Sequence, residues 1–176
     1  MFKNFIISLV FALLILFCLL LFSLNLNDSH GVTFVQCVDG DTAWFLIDGK
    51  KEKVRFLAID APEIAHEDSD ADYYGDSAKD FVCKKLKNAK DIYIEYDAHS
   101  DVRDKYGRVL GWIFVDDVNL NNLLVSKGYA MVRYVYGSYS YLDMLCDSQE
   151  EAYQQELGIW KYKKDIYKNN YCVKNK

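Results

Sequence analysis

Acidic residues stand at the outer ends of two strand-like runs, where they could bind a metal ion. Asp41 directly precedes an apolar run at residues 42–47, and Asp60 directly follows a second run at 54–59. An Asp-Gly pair between the runs is typical of a tight hairpin turn. An antiparallel hairpin brings the start of its first strand beside the end of its second, so the two carboxylates should converge. Converging carboxylates suit a hard cation that prefers oxygen ligands.

Three further side chains could supply acid–base chemistry and bind an anion. Glu63 follows the rigid Pro62 and could position or deprotonate a water molecule. Arg55 lies inside the second run, an unusual place for a charge unless it faces an anion. Arg55 and Arg108 carry planar, permanently charged groups that match phosphate oxygens. With a cation, these groups would stabilise extra charge on a phosphorus centre, which favours attack on a phosphodiester.

Each of these motifs also has an ordinary structural explanation when it is taken alone. The acidic residues Asp39 and Asp41 flank a glycine and could form only a turn. Arg55 could pair with a surface carboxylate, and residues 105–108 could form an ordinary loop between two elements. The combination of acids and arginines within one chain is what favours a catalytic site.

The elements that would position these groups alternate between strand and helix patterns. Alternating or apolar runs predict five strands, at residues 32–38, 42–47, 54–59, 91–96 and 109–115. Helical spacing and glycine stops predict three helices, at residues 77–88, 120–127 and 139–157. Residues 64–75 read as an acidic loop. This order predicts a mainly β fold with helices (α+β), a small five-stranded barrel capped by three helices.

The N-terminal segment is predicted to be separate from this domain. Residues 5–24 carry no charge and are long enough to span a bilayer as a helix. An uncleaved membrane anchor is favoured, with a cleaved signal sequence or a buried core helix as alternatives. We therefore expect an anchor or signal at residues 1–27, a folded domain at 31–162 and a Lys-rich tail at 163–176. The domain should then lie outside the cytoplasm, either membrane-anchored or secreted.

Charge and cysteine usage leave two questions open. The 176 residues carry a net charge of -5, from 21 Lys and Arg against 26 Asp and Glu. This charge is not typical of a protein with a basic nucleic-acid-binding surface. Cys37, Cys83, Cys146 and Cys172 lie beyond the apolar segment without C-x-x-C spacing, which argues against a zinc site. Four cysteines in an exported domain could form disulfides in three pairings, or remain as buried thiols.

The same motifs resemble the staphylococcal nuclease, or thermonuclease, family. The resemblance rests on four short sequences in the family's order and spacing: DGDT at 39–42, VRFLAIDAPE at 54–63, DKYGR at 104–108 and YVY at 134–136. It covers about residues 32 to 161. It implies an OB-fold barrel with three helices and calcium-dependent hydrolysis of DNA and RNA by water, which leaves 3′-phosphate ends.

The resemblance also implies a role for each matching residue. Its calcium ligands would be the carboxylates of Asp41 and Asp60 and the backbone carbonyl of Ala61, where the family usually has Thr. Asp39 would orient these ligands from behind. The remaining roles divide between catalysis, assigned to Arg55, Glu63 and Arg108, and substrate binding, assigned to Lys105, Tyr106, Tyr134 and Tyr136.

These implications predict a monomeric, sugar-nonspecific nuclease with calcium as its cofactor, DNA and RNA as its substrates, and a membrane contact through the N-terminal segment. The alternative is a non-catalytic OB-fold module that binds single-stranded nucleic acid or a protein partner. A binding module would need a basic groove, which the net charge does not indicate. A degenerate nuclease would have lost some of the acids or arginines of the site. The sequence retains all five of these residues, so the active enzyme is favoured: Asp41, Arg55, Asp60, Glu63 and Arg108.

Overall fold

The computed structural model describes residues 13–15, 29–64, 74–162 and 171–174 of the chain. The predicted N-terminal span lies outside the described residues except for 13–15, which are helical and more than half exposed. Most of the predicted acidic loop and of the Lys-rich tail also lies outside them. Within the described ranges, no helix has both the length and the apolar character needed to cross a membrane. The predicted anchor and the domain boundaries stay predictions.

Strands and helices follow one another much as the sequence patterns predict. The strands are β1 (Ser29–Gly31), β2 (Thr33–Cys37), β3 (Thr42–Ile47), β4 (Lys50–Phe56), β5 (Ile59–Asp60), β6 (Ile92–Glu95), β7 (Val109–Val115), β8 (Val118–Asn119) and β9 (Met131–Val132). The helices are α1 (Gly75–Asn88), α2 (Leu120–Ser126), α3 (Leu142–Gln154) and α4 (Tyr171–Lys174), with a 3-10 helix at Gly158–Lys161. The predicted third helix was too long, because the chain leaves the helix after Gln154 and resumes as the 3-10 turn.

The hairpin at the centre of the sequence pattern forms between β3 and β4. Ile47 pairs with Lys50 across a two-residue turn. Asp48 and Gly49 both adopt positive φ angles there, of 50° and 77°. Such a turn matches the right-handed twist of the two strands, which is why Asp-Gly is favoured at this place.

The second strand of this hairpin begins and ends earlier than predicted. The run at 54–59 was expected to be one strand, but β4 ends at Phe56 and the chain turns at Ala58, whose φ is 60°. Asn121, fully buried, donates from its side chain to the Leu57 carbonyl at 2.9 Å and so supports the turn. After the turn, β5 leaves the main sheet and pairs with β9 instead.

The main sheet has the order β1-β6-β7-β4-β3-β2, with β8 added to β7. All its pairs are antiparallel except β4 with β7, which run parallel. The two ends of this path, β1 and β2, are neighbouring chain segments separated only by Val32. The predicted class, a mixed α+β fold with an OB-like sheet, is confirmed at that level.

Helices and disulfides close the core around the sheet. Trp112, Phe45 and Ile59 are fully buried in one apolar cluster. Cys37 at the end of β2 is bonded to Cys83 of α1. A second disulfide, Cys146–Cys172, fastens α4 to α3. The question that the sequence left open is therefore answered in favour of two disulfides.

Candidate active site

The two acidic residues at the hairpin mouth converge on the guanidinium group of Arg55. Arg55 Nη2 lies 3.1 Å from Asp41 Oδ2 and 3.3 Å from Asp60 Oδ1. The strand register explains this, because Thr42 pairs directly with Arg55 and therefore brings Asp41 beside it. Asp60 reaches the same point from β5. The charge inside the strand thus faces two carboxylates.

Arg55 is fixed by the backbone as well as by charge. Its Nη1 donates to the carbonyl oxygens of Phe56 at 2.9 Å and Ile59 at 2.7 Å, which lie on either side of the turn after β4. The side chain is only 11% exposed. A guanidinium group held by four acceptors in this way is pre-positioned, which lowers the entropy lost when it binds a further anion.

Asp41 is a buried carboxylate inside a network of donors. It receives hydrogen bonds from Thr42 Oγ1 at 2.9 Å and from the Ala61 N–H at 2.8 Å. Asp39 accepts the Asp41 N–H at 3.0 Å and so holds the loop that carries the carboxylate. Burial raises the pKa of Asp41 to about 7, although the neighbouring Arg55 pulls it down. An added cation would favour the charged form of this group.

Glu63 lies at the rim of the same site with its side chain exposed to solvent. Its main chain is held tightly, because a side-chain carbon added at Gly75 would lie 2.2 Å from the Glu63 carbonyl oxygen. The start of α1 therefore fixes the loop that presents Glu63. Ala61, between the two acids, is buried and packs near Gly40.

The loop before β7 brings Arg108 to the opposite side. Arg108 Nε donates to Asp104 Oδ2 at 2.7 Å, and Asp104 Oδ1 accepts the backbone N–H groups of Arg108 and Tyr106. Burial opposes ionisation of Asp104, but these hydrogen bonds outweigh it and hold the pKa of the carboxyl below its usual range. The Arg108 guanidinium also lies 5.5 Å from the centre of the Tyr106 ring, and Lys105 Nζ lies 4.9 Å from it.

A cleft of about 490 Å³ joins these groups. Its walls include most of the residues singled out from the sequence: Arg55, Asp60, Glu63, Lys105, Tyr106, Arg108, Tyr134 and Tyr136. Tyr106, Tyr134 and Tyr136 are 72%, 47% and 84% exposed, and a group of exposed aromatic rings is typical of a binding surface. Tyr134 also has a positive φ of 57°, a sparsely populated conformation that clusters at functional sites.

Sequence reasoning missed Arg133. Its Nη1 lies 3.0 Å from Asp60 Oδ2, so the two oxygens of that carboxylate are paired with different arginines. A charge within the otherwise apolar run 129–135 was the available signal, the same signal that drew attention to Arg55. It also missed Arg103, which pairs with Glu52 through two hydrogen bonds of 2.8 and 2.9 Å and donates to the Gly107 carbonyl, bracing the loop that carries Arg108.

The donors at this site suit a hard cation, but they are few. Across the described ranges, no three His, Cys, Asp or Glu side chains lie together in a group that could hold a metal ion. Asp41 and Asp60 would supply two carboxylates, and Ala61, which directly follows Asp60, donates its backbone N–H to Asp41. A cation such as calcium takes six to eight oxygen ligands, so water and a bound phosphate would have to complete the shell.

The sequence matches the family model described as "Staphylococcal nuclease homologue" over residues 53–162, more than half of the chain. It is 36% identical to Endonuclease YncB of Bacillus subtilis over 139 residues, which is 78% of this chain and 65% of that protein. It is 35% identical to the SPbeta prophage-derived endonuclease YokF of the same species over 148 residues, 82% of this chain and 49% of that protein.

A third relative is similar in length as well as in sequence. The thermonuclease of Staphylococcus intermedius is 30% identical over 141 residues, which covers 79% of this chain and 82% of that protein. The chain spans only about two thirds and one half of the two Bacillus relatives. From the family model and this relative together, the chain belongs to the staphylococcal nuclease family.

Proposed function

We propose that the protein is a calcium-dependent, sugar-nonspecific nuclease that hydrolyses phosphodiester bonds of DNA and RNA and leaves 3′-phosphate ends. The observation that carries the proposal is the bridge from Asp41 through Arg55 to Asp60, at 3.1 and 3.3 Å, in a cleft that Glu63 and Arg108 also line. Nuclease relatives of the same family support it. The exposed tyrosines of the cleft would stack on bases or sugars.

In this proposal each side chain has one task at the phosphate. Glu63 accepts a proton from the attacking water while the water oxygen bonds to phosphorus and the bond from phosphorus to the 5′-oxygen breaks. The leaving 5′-oxygen takes its proton from solvent. Arg55, held by its carbonyl partners, and Arg108, across the cleft, donate to the non-bridging oxygens, where negative charge grows in the transition state.

Calcium would be held by Asp41, Asp60 and the Ala61 carbonyl. When bound, it would polarise a phosphoryl oxygen and offset the charge of the incoming phosphodiester. Burial of Asp41 and the donor chemistry of the pair support this choice. Because only two carboxylates contribute, we expect weak calcium affinity that improves when a substrate phosphate adds a ligand.

We further propose an OB-fold barrel and an extracytoplasmic location. The sheet path starts and ends on the neighbouring segments β1 and β2, which favours a barrel closed by one bent strand. Two disulfides favour an oxidising compartment, since thiols stay reduced in the cytosol. The monomeric state and the N-terminal membrane anchor, or its cleavage, remain part of the proposal.

The proposal is tested by digestion of DNA and RNA with the purified full chain. We expect cleavage of both polymers with calcium and none with a chelator, and products that carry 3′-phosphates. A protein that binds single-stranded DNA under both conditions and cuts nothing would instead be the non-catalytic binding module.

A single substitution tests the water-handling role. Glu63→Gln should lower the single-turnover cleavage rate by about 10²–10⁴-fold, because it removes the proton acceptor, while nucleic-acid affinity stays similar. The side chain is exposed, and melting curves of the variant and the wild type check that the fold is retained. Glu151→Gln, an equally exposed glutamate on α3, is the matched control. An unchanged rate for Glu63→Gln would exclude the role assigned to this residue.

A further inference from the structure

Arg133 is a third arginine at the proposed site, and the fold holds it next to Asp60. Strand β9 pairs with β5, with Met131 opposite Asp60, and the Arg133 N–H donates to the Ala58 carbonyl at 3.0 Å. The backbone of Arg133 is therefore fixed beside the acidic residue. Its Nη1 completes the contact with Asp60 Oδ2 at 3.0 Å.

The two arginines on Asp60 differ in how firmly they are held. Arg55 is 11% exposed and is anchored by two backbone carbonyls and Asp41. Arg133 is 55% exposed, and the contacts seen for it in the described part of the chain are Asp60 and the Tyr134 ring, 5.1 Å away. A half-exposed ion pair is weak, because water screens it. Arg133 can therefore leave Asp60 at little cost, whereas Arg55 cannot.

The position of Arg133 also gives it access to the substrate cleft. Tyr134, whose ring lies between the two arginines at 5.8 Å from Arg55 and 5.1 Å from Arg133, lines the cleft. A long side chain released from Asp60 stays within reach of a phosphate there. Guanidinium groups bind phosphate oxygens in paired hydrogen bonds, so an exchange from carboxylate to phosphate keeps the charge satisfied.

We propose that Arg133 occupies Asp60 in the free protein and transfers to a backbone phosphate of the nucleic acid when a divalent cation takes its place on Asp60. Arg133 is thus both a competitor of the cation and a third phosphate-binding group. This inference rests on the proposed function of the same site. Binding of the cation and of the substrate then favour each other. The cation displaces Arg133 from Asp60, and the phosphate holds Arg133 away from Asp60.

The first test measures calcium binding to the free full-length protein by isothermal titration calorimetry. Arg133→Gln should bind calcium about two- to fivefold more tightly than the wild type, as expected when a weak competing ion pair is removed. Arg103→Gln, on the wall of the cleft, is the matched control, because it also removes one positive charge and frees a carboxylate, Glu52, but leaves Asp60 paired. Equal or weaker calcium affinity of Arg133→Gln would overturn the proposal.

The second test measures binding of a fluorescent single-stranded oligonucleotide by anisotropy at several salt concentrations, in a Glu63→Gln background that slows cleavage. With calcium, Arg133→Gln should reduce the slope of log affinity against log salt by about 0.7, the value for one lost phosphate contact. With a chelator the slopes should differ by less, because Asp60 then competes with the phosphate for Arg133. Arg133→Lys should restore the slope.

The outcomes separate this proposal from the nuclease activity. A slope that Arg133→Gln leaves unchanged in calcium would overturn the exchange even if the protein cuts DNA. Conversely, a protein that shows both effects but cuts nothing would refute the activity and support the exchange. Melting curves for each variant exclude unfolding as the cause, and the half-exposed side chain should leave the fold intact.

Discussion

At the scale of single residues, Arg55 and Arg108 differ in how far they also support the fold. Arg55 is buried and links the turn after β4 to both acidic residues through four contacts. Arg108 is 29% exposed and is paired with Asp104, four positions earlier on the same loop. The proposed roles of both arginines in catalysis therefore do not imply equal importance for stability.

This difference predicts distinct phenotypes for two substitutions. Arg55→Gln should lower the free energy of unfolding by about 3–5 kcal/mol, because it leaves Asp41 buried without its ion-pair partner. Arg108→Gln should lower it by about 1 kcal/mol or less. Both should reduce cleavage at least a hundredfold, by about 3 kcal/mol of transition-state stabilisation. Urea unfolding and single-turnover cleavage measure the two effects, and similar stability losses would contradict the division.

At the scale of elements, α1 supports the loop at residues 38–41, which carries Asp39 and Asp41. Its Ala78 packs against Gly40, and the Cys37–Cys83 disulfide joins the same helix to the end of β2. A side-chain carbon at Gly40 would lie 2.7 Å from the Ala61 Cβ and 2.9 Å from the Ala78 Cβ. The absence of a side chain there lets α1, the loop at residues 38–41 and Ala61 approach one another.

Gly40→Ala should therefore separate these elements. We expect it to destabilise the protein by about 1–3 kcal/mol through overpacking and to weaken calcium binding, because the shift lies between Asp41 and Ala61. Gly31→Ala is the matched control, since an added carbon there would meet nothing within 4 Å. Urea unfolding and calcium titration make the comparison. Equal stability and equal calcium affinity of the Gly40→Ala and Gly31→Ala variants would contradict the packing argument.

At the scale of the whole molecule, one buried carboxylate joins the sheet to the C-terminal helices. Asp97 Oδ2 accepts hydrogen bonds from Trp112 Nε1 at 2.9 Å and from the Ser140 N–H at 2.7 Å, and Oδ1 accepts the His99 N–H at 2.9 Å. Burial opposes ionisation, but these donors outweigh it and hold the pKa of Asp97 below its usual range.

The lowered pKa of Asp97 predicts how stability changes with acid. The folded protein binds fewer protons at this group than the unfolded chain, so the stabilisation is complete above the unfolded value of about 4 and is lost as pH falls through the folded value. Asp97→Asn should lower the free energy of unfolding by about 1–3 kcal/mol at neutral pH, and by progressively less as pH falls below 4. Exposed Asp147→Asn on α3 is the control. A difference independent of pH would contradict the ionic role.

Much of the fold and half of the site follow from local pattern. The Asp-Gly turn, the strands at 42–47 and 109–115 and the start of α2 depend on interactions between residues near in sequence, so periodicity and turn chemistry predict them. The hairpin register then places Asp41 opposite the end of its partner strand, which is why the convergence of the acids could be predicted. The short strands β5 and β9 could not, since they pair with each other across about 70 residues of chain and make further hydrogen bonds with Arg55 and Gln149.

The sequence by itself determined the identity and order of the proposed reactive groups: Asp41, Asp60, Glu63, Arg55 and Arg108, in an arrangement that resembles the family. Tertiary structure alone decided that Cys37 pairs with Cys83, that Arg55 is bound by backbone carbonyls, and that Arg133 reaches Asp60. The physical reason is distance along the chain. A contact between residues far apart depends on how whole elements pack, and no local pattern of polarity records that packing.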